Sequence, residues 1–423
     1  MNSEPTNTRG MMEQNETCDC CNVAGKGIHV DVFYNFNELA PMQQEWDNFV
    51  ESVGAEIFLT YDWCRIWWKY YGKKRDLRVF VFHSNKELVG IIPLFFEKIW
   101  LGPIFVRAAK IVGSDFTIAQ FSLPISSKYI RGVIQKLFEL LPEDKWDILH
   151  IGPIAGLYKH YDDLENICEE LLGHSHIVLN ENKGVQTYFQ LATGWAKQLT
   201  SLKKGERWDI KRSYKALQAD KTSLVSTFAS EVNFEELFEN FVNMHQSYWR
   251  SLGKLGHFGD WPVAHEFHHE IATAQLKQNR LRLLEVKSGT RCLGYEYNYK
   301  FGDRYFEFLN ARSTSKELAK ISVGRVVFSE QVKKSLDEGV RCIDSMRGKY
   351  EHKLRLGGTL FPIRSLYIIP NKLSSVIRVS VFRAFARFLN LCYYKIWFCR
   401  VAPRLSLKRR PLWKIWIRTS AFG

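Results

Sequence analysis

Phe306-Glu307-Phe308-Leu309-Asn310-Ala311, a polar loop, and then Lys320-Ile321-Ser322-Val323-Gly324-Arg325-Val326 read as a strand, a connection and a helix start. Ser322 is expected to cap that helix, and Gly324 lets backbone N–H groups come close to a ligand. A helix's first turn offers unpaired N–H groups and the positive dipole end, which suits a phosphate or pyrophosphate. Lys320 and Arg325 add positive charge beside it. The helix continues to about Leu336, and a strand follows at Arg341–Ser345.

Working outward, the same order occurs twice. Before the opening stretch lie a helix with Phe234, Leu237, Phe238, Phe241, Val242, His245 and Trp249, and a second helix over 263–278. Strands at Leu281–Lys287 and Cys292–Lys300 flank Ser288-Gly289-Thr290-Arg291. Upstream, a helix shows Leu39, Met42, Trp46, Phe49, Val50 and Val53, and a second carries Trp63, Ile66, Trp67, Tyr70 and Tyr71. Strands Leu77–His83 and Leu88–Phe96 follow, then a β region within 109–123, a helix at 130–141 and a strand at Trp146–Ile151. Each copy reads α-α-β-β-β-α-β, at nearly equal length. Even Val89-Gly90 and Leu293-Gly294 fall at the same place after the hairpin turn. Two similar α/β units, packed side by side around a cleft, are expected. The connection supplies a helix (Leu164, Ile167, Cys168, Leu171), a strand near Val185–Leu191 and a basic helical run. At the place of Ser322-Val323-Gly324 the first copy has Ser126-Ser127-Lys128, without glycine, so a cofactor is expected on the second unit.

Composition agrees with a globular chain. Of 423 residues 46% are apolar, 14% aromatic and 25% charged, which excludes wholesale disorder and coiled coil. No run of about 18 uninterrupted apolar residues suggests a spanning helix. The polar first 27 residues read as a flexible leader without a secretory signal, and nine scattered cysteines fit a reducing cytosol. Cys18, Cys20 and Cys21 lack the second pair that a zinc finger needs. Residues 363–423 carry thirteen Lys and Arg and no Asp or Glu, leaving 46 of the 59 basic residues against all 45 acids. The excess charge therefore belongs to the tail.

Asp344-Ser345-Met346-Arg347-Gly348-Lys349-Tyr350-Glu351-His352-Lys353 resembles the D-x-x-R-G-x-x-x-Y-K ending of a family of GNAT-superfamily acyltransferases, the cellulose-biosynthesis (CelD-type) acetyltransferases. His352 stands where that family has tyrosine. The resemblance extends to Met244–Arg250, to Phe58–Trp63 with Trp67-Trp68, and to Ile321–Arg325, where the family usually has Ser-Pro-Gly. It covers roughly residues 30–368. It implies an α/β (α+β) fold of two tandem GNAT-like units with mixed sheets, similar to the Fem-type aminoacyltransferases. The expected division is a leader at 1–27, an N-terminal unit at 28–180, a C-terminal unit with the acyl-CoA site at 181–370, and a basic tail at 371–423. The implied activity is transfer of an acyl group, acetyl above all, from acyl-CoA to an amine or hydroxyl of a cell-envelope or exopolysaccharide component. Aminoacyl-tRNA as donor and a non-catalytic, membrane-tethered scaffold are the alternatives.

Carried over, the pyrophosphate loop is 320–326, with Lys320, Ser322, Val323, Gly324 and Arg325 as cofactor-binding residues. It has one glycine where the superfamily usually has more, and Val323 replaces a common proline. Direct attack on a thioester needs a base, an oxyanion donor and an acid for the leaving thiolate. Glu307 is the candidate base, Tyr350 and His352 the candidate acids, and Arg347 and Lys353 candidate holders of a phosphate or carboxylate.

Other motifs point elsewhere. His245 lies on the apolar stripe of its helix and reads as a hydrogen-bonded core histidine. His265-Glu266-Phe267-His268-His269 spells H-E-x-x-H, yet no third ligand follows, and no metal is expected. Lys203, Lys204, Arg207, Lys211, Arg212 and Lys215 could guide an anionic acceptor or CoA phosphate, or could form a solvated face. In residues 375–418, Ser380, Arg383, Arg387 and Asn390 fall on one side of a helix, and Val381, Phe382, Phe385, Phe388 and Leu389 on the other. Lys408-Arg409-Arg410, Trp413 and Trp416 follow. An anionic membrane surface is the favoured partner, on the inner face of the membrane, ahead of a partner protein or the body of this chain. No recognised nucleic-acid module is present.

Overall fold

The computed structural model describes residues 27–116, 120–141, 145–219, 223–405 and 412–423. The cysteine cluster at 18–21 and the Lys408-Arg409-Arg410 run lie outside the described residues. The first copy runs β1 (Ile28–Phe33), α1 (Gln43–Ser52), α2 (Tyr61–Tyr71), β2 (Asp76–Ser84), β3 (Glu87–Leu101) and β4 (Ile104–Ile111). It continues with α3 (Ile130–Leu140), β5 (Ile148–Ile154), α4 (Tyr161–Leu172) and β6 (His176–Gln190). After α5 (Trp195–Ser201) and α6 (Lys204–Ala219), the second copy runs β7 (Leu224–Phe228), α7 (Phe234–Ser251), α8 (His257–Asp260), α9 (Ala264–Lys277), β8 (Leu281–Ser288), β9 (Arg291–Phe301) and β10 (Arg304–Arg312). It ends with α10 (Val323–Asp337), β11 (Cys342–Arg347), α11 (Glu351–Arg355) and β12 (Thr359–Pro370).

The structure thus adds a strand before each copy and a helix and strand, α11 and β12, after the second, while the expected connecting helix and strand become α4 and the longer β6 of the first. All twelve strands of the described residues form one mixed sheet, ordered β1-β2-β3-β4-β5-β12-β6-β11-β10-β9-β8-β7. The two middle strands have changed places. β6, which ends the first copy, pairs with β11 of the second, and β12, which ends the second, pairs with β5 of the first. Between them β6 and β12 run antiparallel from Thr359↔Tyr188 to Pro370↔His176. The expected division between residues 180 and 181 therefore falls inside a strand shared by both units.

Each copy holds one parallel pair, β4 with β5 and β10 with β11, and each needs a crossover helix, which α3 and α10 supply. The repeated glycines explain how those helices sit. A Cβ at Gly90 would lie 3.2 Å from Val133 on α3, and one at Gly294 would lie 3.1 Å from Val327 on α10 and 2.5 Å from the Ala311 carbonyl. Aromatic packing joins the copies: Phe58 meets Phe306 at 5.4 Å between ring centroids, and Trp63 meets Tyr299 at 5.2 Å.

The tail does not stand off as a separate arm. α12 (Leu373–Leu389) lays Val379, Phe382 and Ala386 on Ile99, Val106, Ala108 and Tyr367 of the sheet. A π-helical turn series (Asn390–Val401), α13 (Ala402–Arg404) and α14 (Trp413–Thr419) follow, and Phe422 is buried beside Tyr367. Arg378 pairs with buried Asp147 at 2.7 Å, Arg383 with Glu181, and Arg418 with buried Glu97 at 2.9 Å. These acids turn the helix. Arg383 and Phe382, expected on opposite faces, are both buried, while Val381, Phe385 and Phe388 face outward. Among the described residues no helix is long and apolar enough to cross a membrane.

Candidate active site

The site begins where two strands part. β10 and β11 pair only from Arg304↔Cys342 to Phe306↔Asp344, and β10 carries a register shift against β9 between Glu307 and Leu309. Beyond that point lies a cleft of ≈790 Å³. Its walls are Glu296 on β9, Glu307 and Asn310–Arg312 on β10, the first turn of α10, and Tyr350–Lys353 at the start of α11. The cleft gathers Glu307, Ser322, Val323, Gly324, Arg325, Tyr350, His352 and Lys353 from the residues expected to act.

Two expected residues lie elsewhere. Lys320 is exposed on the loop and does not line the cleft. The Arg347 guanidinium turns away to the Lys183 carbonyl on β6. Ser322 stands at the N-cap position of α10, but its side chain makes no capping bond; its N–H donates to Ser213 Oγ at 3.1 Å. Arg325 is held by two acids of α6, Glu206 at 2.6 Å and Asp209 at 3.4 Å, so much of its charge is already answered.

Arg312, rather than Lys320, brings its charge to this turn. Its guanidinium reaches over the first turn of α10, so that a Cβ on Gly324 would fall 2.9 Å from it, and it donates to Tyr248 Oη at 2.9 Å. Neither Arg312 nor Glu296 was singled out in the sequence. An arginine one step past the strand's apolar alternation and a glutamate inside Gly294-Tyr295-Glu296-Tyr297 were the available signals.

Two buried carboxyls share the cleft in different environments. Glu307 accepts from Ser345 Oγ. Glu296 is 4% exposed, and its Oε2 finds no protein partner. Burial, reinforced by the nearby Glu307, pushes its carboxyl well above the usual range, and Lys353 and Arg312 only partly oppose this. Lys353 Nζ donates to the Ser345 carbonyl. Tyr350 and His352 stack with centroids 5.7 Å apart at the mouth. Burial and Lys353 lower the His352 imidazole, which is therefore neutral near pH 7 and a weaker proton donor than a charged one.

Asp344 marks the fork itself. Burial raises it to about 6, against bonds from Gln186 at 2.5 Å and the Met346 N–H at 2.8 Å. A carboxyl raised in the folded state binds its proton more tightly there, so its contribution falls as pH rises from about 4 to about 6. We expect Asp344→Asn to remove a pH dependence of about 3 kcal/mol from unfolding over that window. Urea unfolding of both proteins at pH 4 and pH 7 checks it, and parallel profiles would contradict it.

Among the described residues the first copy has the same fork, but it is filled. β4 and β5 pair from Ala108↔Ile148 to Lys110↔His150, and the chain then doubles back into the gap. Phe121 bridges to Ile154, with its N–H on the Pro153 carbonyl at 3.2 Å and its carbonyl accepting from Ala155 at 3.1 Å. Ile125 bridges to Gly90. Residues 120–125 thus occupy the place that is open in the second copy.

The remaining motifs are bound up in structure. His245 is buried against the Asn310 carbonyl at 2.8 Å. His265 and His269 pair with Glu239 and Glu235 of α7, each at 2.7 Å. Among the described residues no group of three or more His, Cys, Asp or Glu could hold a metal.

Comparisons with known proteins agree with this geometry. Residues 204–354 match the sequence profile of the acetyltransferase (GNAT) domain. The crystal structure of FemX superposes with a TM-score of 0.57 at 13% identity, covering 79% of this chain and 98% of that one. A conserved protein of unknown function from Bacteroides thetaiotaomicron VPI-5482 superposes with a TM-score of 0.50 at 11% identity, covering 78% and 97%. At such identities these likenesses show the fold. No curated protein matches the chain. The profile match falls on the second copy, and the first repeats its α/β order in the same sheet.

Proposed function

We propose that this chain is an acyltransferase that takes an acyl group, acetyl above all, from acyl-CoA and transfers it to an amine or hydroxyl. The observation that carries this is the fork open in the second copy and filled in the first, with a helix N-terminus, Arg312 and the buried carboxyls of Glu296 and Glu307 on its walls. The resemblance to CelD-type enzymes is what favours an acceptor among cell-envelope or exopolysaccharide components. A place on the inner membrane surface rests on the tail.

In this reading the pantetheine arm lies between the parted strands, where its amides take up backbone groups the ladder no longer pairs. The pyrophosphate meets the first turn of α10 and Arg312. The acceptor N–H or O–H attacks the thioester carbon, the C–S bond breaks, and Glu307 receives the acceptor's proton. The Tyr350 hydroxyl supplies the proton to the departing thiolate. Lys353 and Arg347 hold an anionic part of a substrate, Arg347 only after leaving the Lys183 carbonyl.

Release of free thiol from acetyl-CoA in the presence of amino sugars, polysaccharide fragments and simple amines tests it. Acceptor-dependent thiol release is expected; its absence with every acyl-CoA, together with turnover of aminoacyl-tRNA, would replace the donor. Arg312→Ala is expected to raise KM for acyl-CoA by about tenfold or more with kcat little changed, since it removes a bond to a charged group. Steady-state kinetics at saturating acceptor check this.

A further inference from the structure

The outer face of the tail is unlike the rest of the surface. Leu373, Ile377, Val381, Phe385 and Phe388 recur every three or four residues along α12 and are exposed, Leu373 at 77% and Phe388 at 65%. Leu391 and Ile396 extend this ridge into the following turns. Lys372, Arg387, Lys395, Arg400 and Lys414 are exposed on the same elements. From the body, the β3–β4 hairpin adds exposed Trp100, whose ring lies 4.9 Å from Phe105, on which Arg378 of α12 also stacks at 4.9 Å. Meanwhile α12 is pinned from behind by Arg378 on Asp147 and Arg383 on Glu181, so the ridge is already formed before any partner arrives.

We infer that this face docks onto a bilayer carrying anionic phospholipid headgroups. The ridge would enter the interface, with the basic side chains among the headgroups and Trp100 at their level. Charge complementarity selects this occupant: Arg364, Arg378, Arg383 and Arg418 answer acids of the body, and Lys372, Arg387, Lys395, Arg400 and Lys414 remain exposed beside the ridge in a stretch, residues 363–423, that has no acid of its own. A second copy of the chain would set the same positive rim against itself, and like charges across an interface oppose association. A nucleic acid would meet the cations but leave Leu373, Ile377 and Val381 with nothing apolar to cover them. Docking does not depend on the acyl-transfer reading, and either can fail alone.

Sedimentation of the full chain with phosphatidylcholine vesicles, with and without phosphatidylglycerol, tests the inference. The comparison is a Phe385→Glu, Phe388→Glu double variant, whose folding is verified by an unchanged unfolding midpoint because both side chains are exposed. Binding to anionic vesicles is expected, at least tenfold weaker for the variant and in high salt, and weak for phosphatidylcholine alone. No binding to anionic vesicles would overturn it, as would equal binding by the variant. A dimer that the double variant abolishes, or a nucleic acid that displaces the chain from vesicles, would also overturn it by naming another occupant.

Discussion

Glu307→Gln is expected to lower kcat by about 10²- to 10⁴-fold, the range a positioned general base contributes. KM for acyl-CoA should hardly move, because the proposed cradle of its pyrophosphate is the first turn of α10, whereas Glu307 lies on β10. Folding should be preserved: the amide oxygen of glutamine can still accept from Ser345 Oγ. A loss in kcat alone identifies a group that works in the transition state. An equal loss in unfolding stability would instead mark Glu307 as structural. A kcat within about threefold of wild type would move the base elsewhere, with Glu296 the other buried carboxyl in the cleft.

The second large effect concerns stability. Glu97→Gln is expected to destabilise the chain by about 3–5 kcal/mol, the range for breaking a buried ion pair. Glu97 meets Arg75 at 3.1 Å, Lys110 at 2.9 Å and Arg418 at 2.9 Å. Asp115 completes the group, with Arg75 and Lys110 each at 3.0 Å. The Lys110 and Arg75 side chains are buried, so without Glu97 two cations would share the one acid Asp115 out of reach of water, and Arg418 would lose its acidic partner. Burial alone would raise both carboxyls, but the Arg75 and Lys110 charges outweigh it and hold them below the usual range. An acid lowered in the folded state stabilises above its unfolded pKa and loses that contribution as pH falls through the folded value. The variant's deficit should therefore be full at pH 7 and shrink in acid. Urea unfolding at both pH values measures it, and a deficit below about 1 kcal/mol would show the cluster to be dispensable. Arg418 belongs to α14, so the same change should loosen the tail.

Much of this architecture is legible in the residues, and the failures have physical reasons. Gly90 and Gly294 were visible as a repeated detail, and each allows a crossover helix to lie against its strand. β1 and β7 are short edge strands, where alternation has little length in which to show itself. β12 hides because Pro362 reads as a break. The strand accommodates it where β6 is its one paired neighbour, before pairing with β5 starts at Arg364. The exchange of β6 and β12 leaves no local trace, since either strand would suit either partner. The tail failed differently. Periodicity finds the apolar side of a helix, but buried Asp147 and half-buried Glu181, over 190 residues away, decided which side turned inward. For the cleft, Glu307, Gly324, Tyr350 and Lys353 could be gathered from motif positions. Arg312 could not, because its role depends on the close approach of β10's end to α10.

The most direct test is thermal unfolding of the full chain with and without excess acetyl-CoA, beside Gly324→Asp. The substitution sets a carboxylate where the pyrophosphate should lie and within reach of Arg312, whose guanidinium would meet the new Cβ at 2.9 Å. At about 100 times its dissociation constant, a ligand that binds only the folded state adds about 2.7 kcal/mol. The proposed site predicts a clear upward shift for the wild-type chain and none for Gly324→Asp, with equal midpoints in the absence of ligand. An equal shift in both would put the cofactor elsewhere on the chain, and no shift with any acyl-CoA would contradict the acyltransferase reading itself.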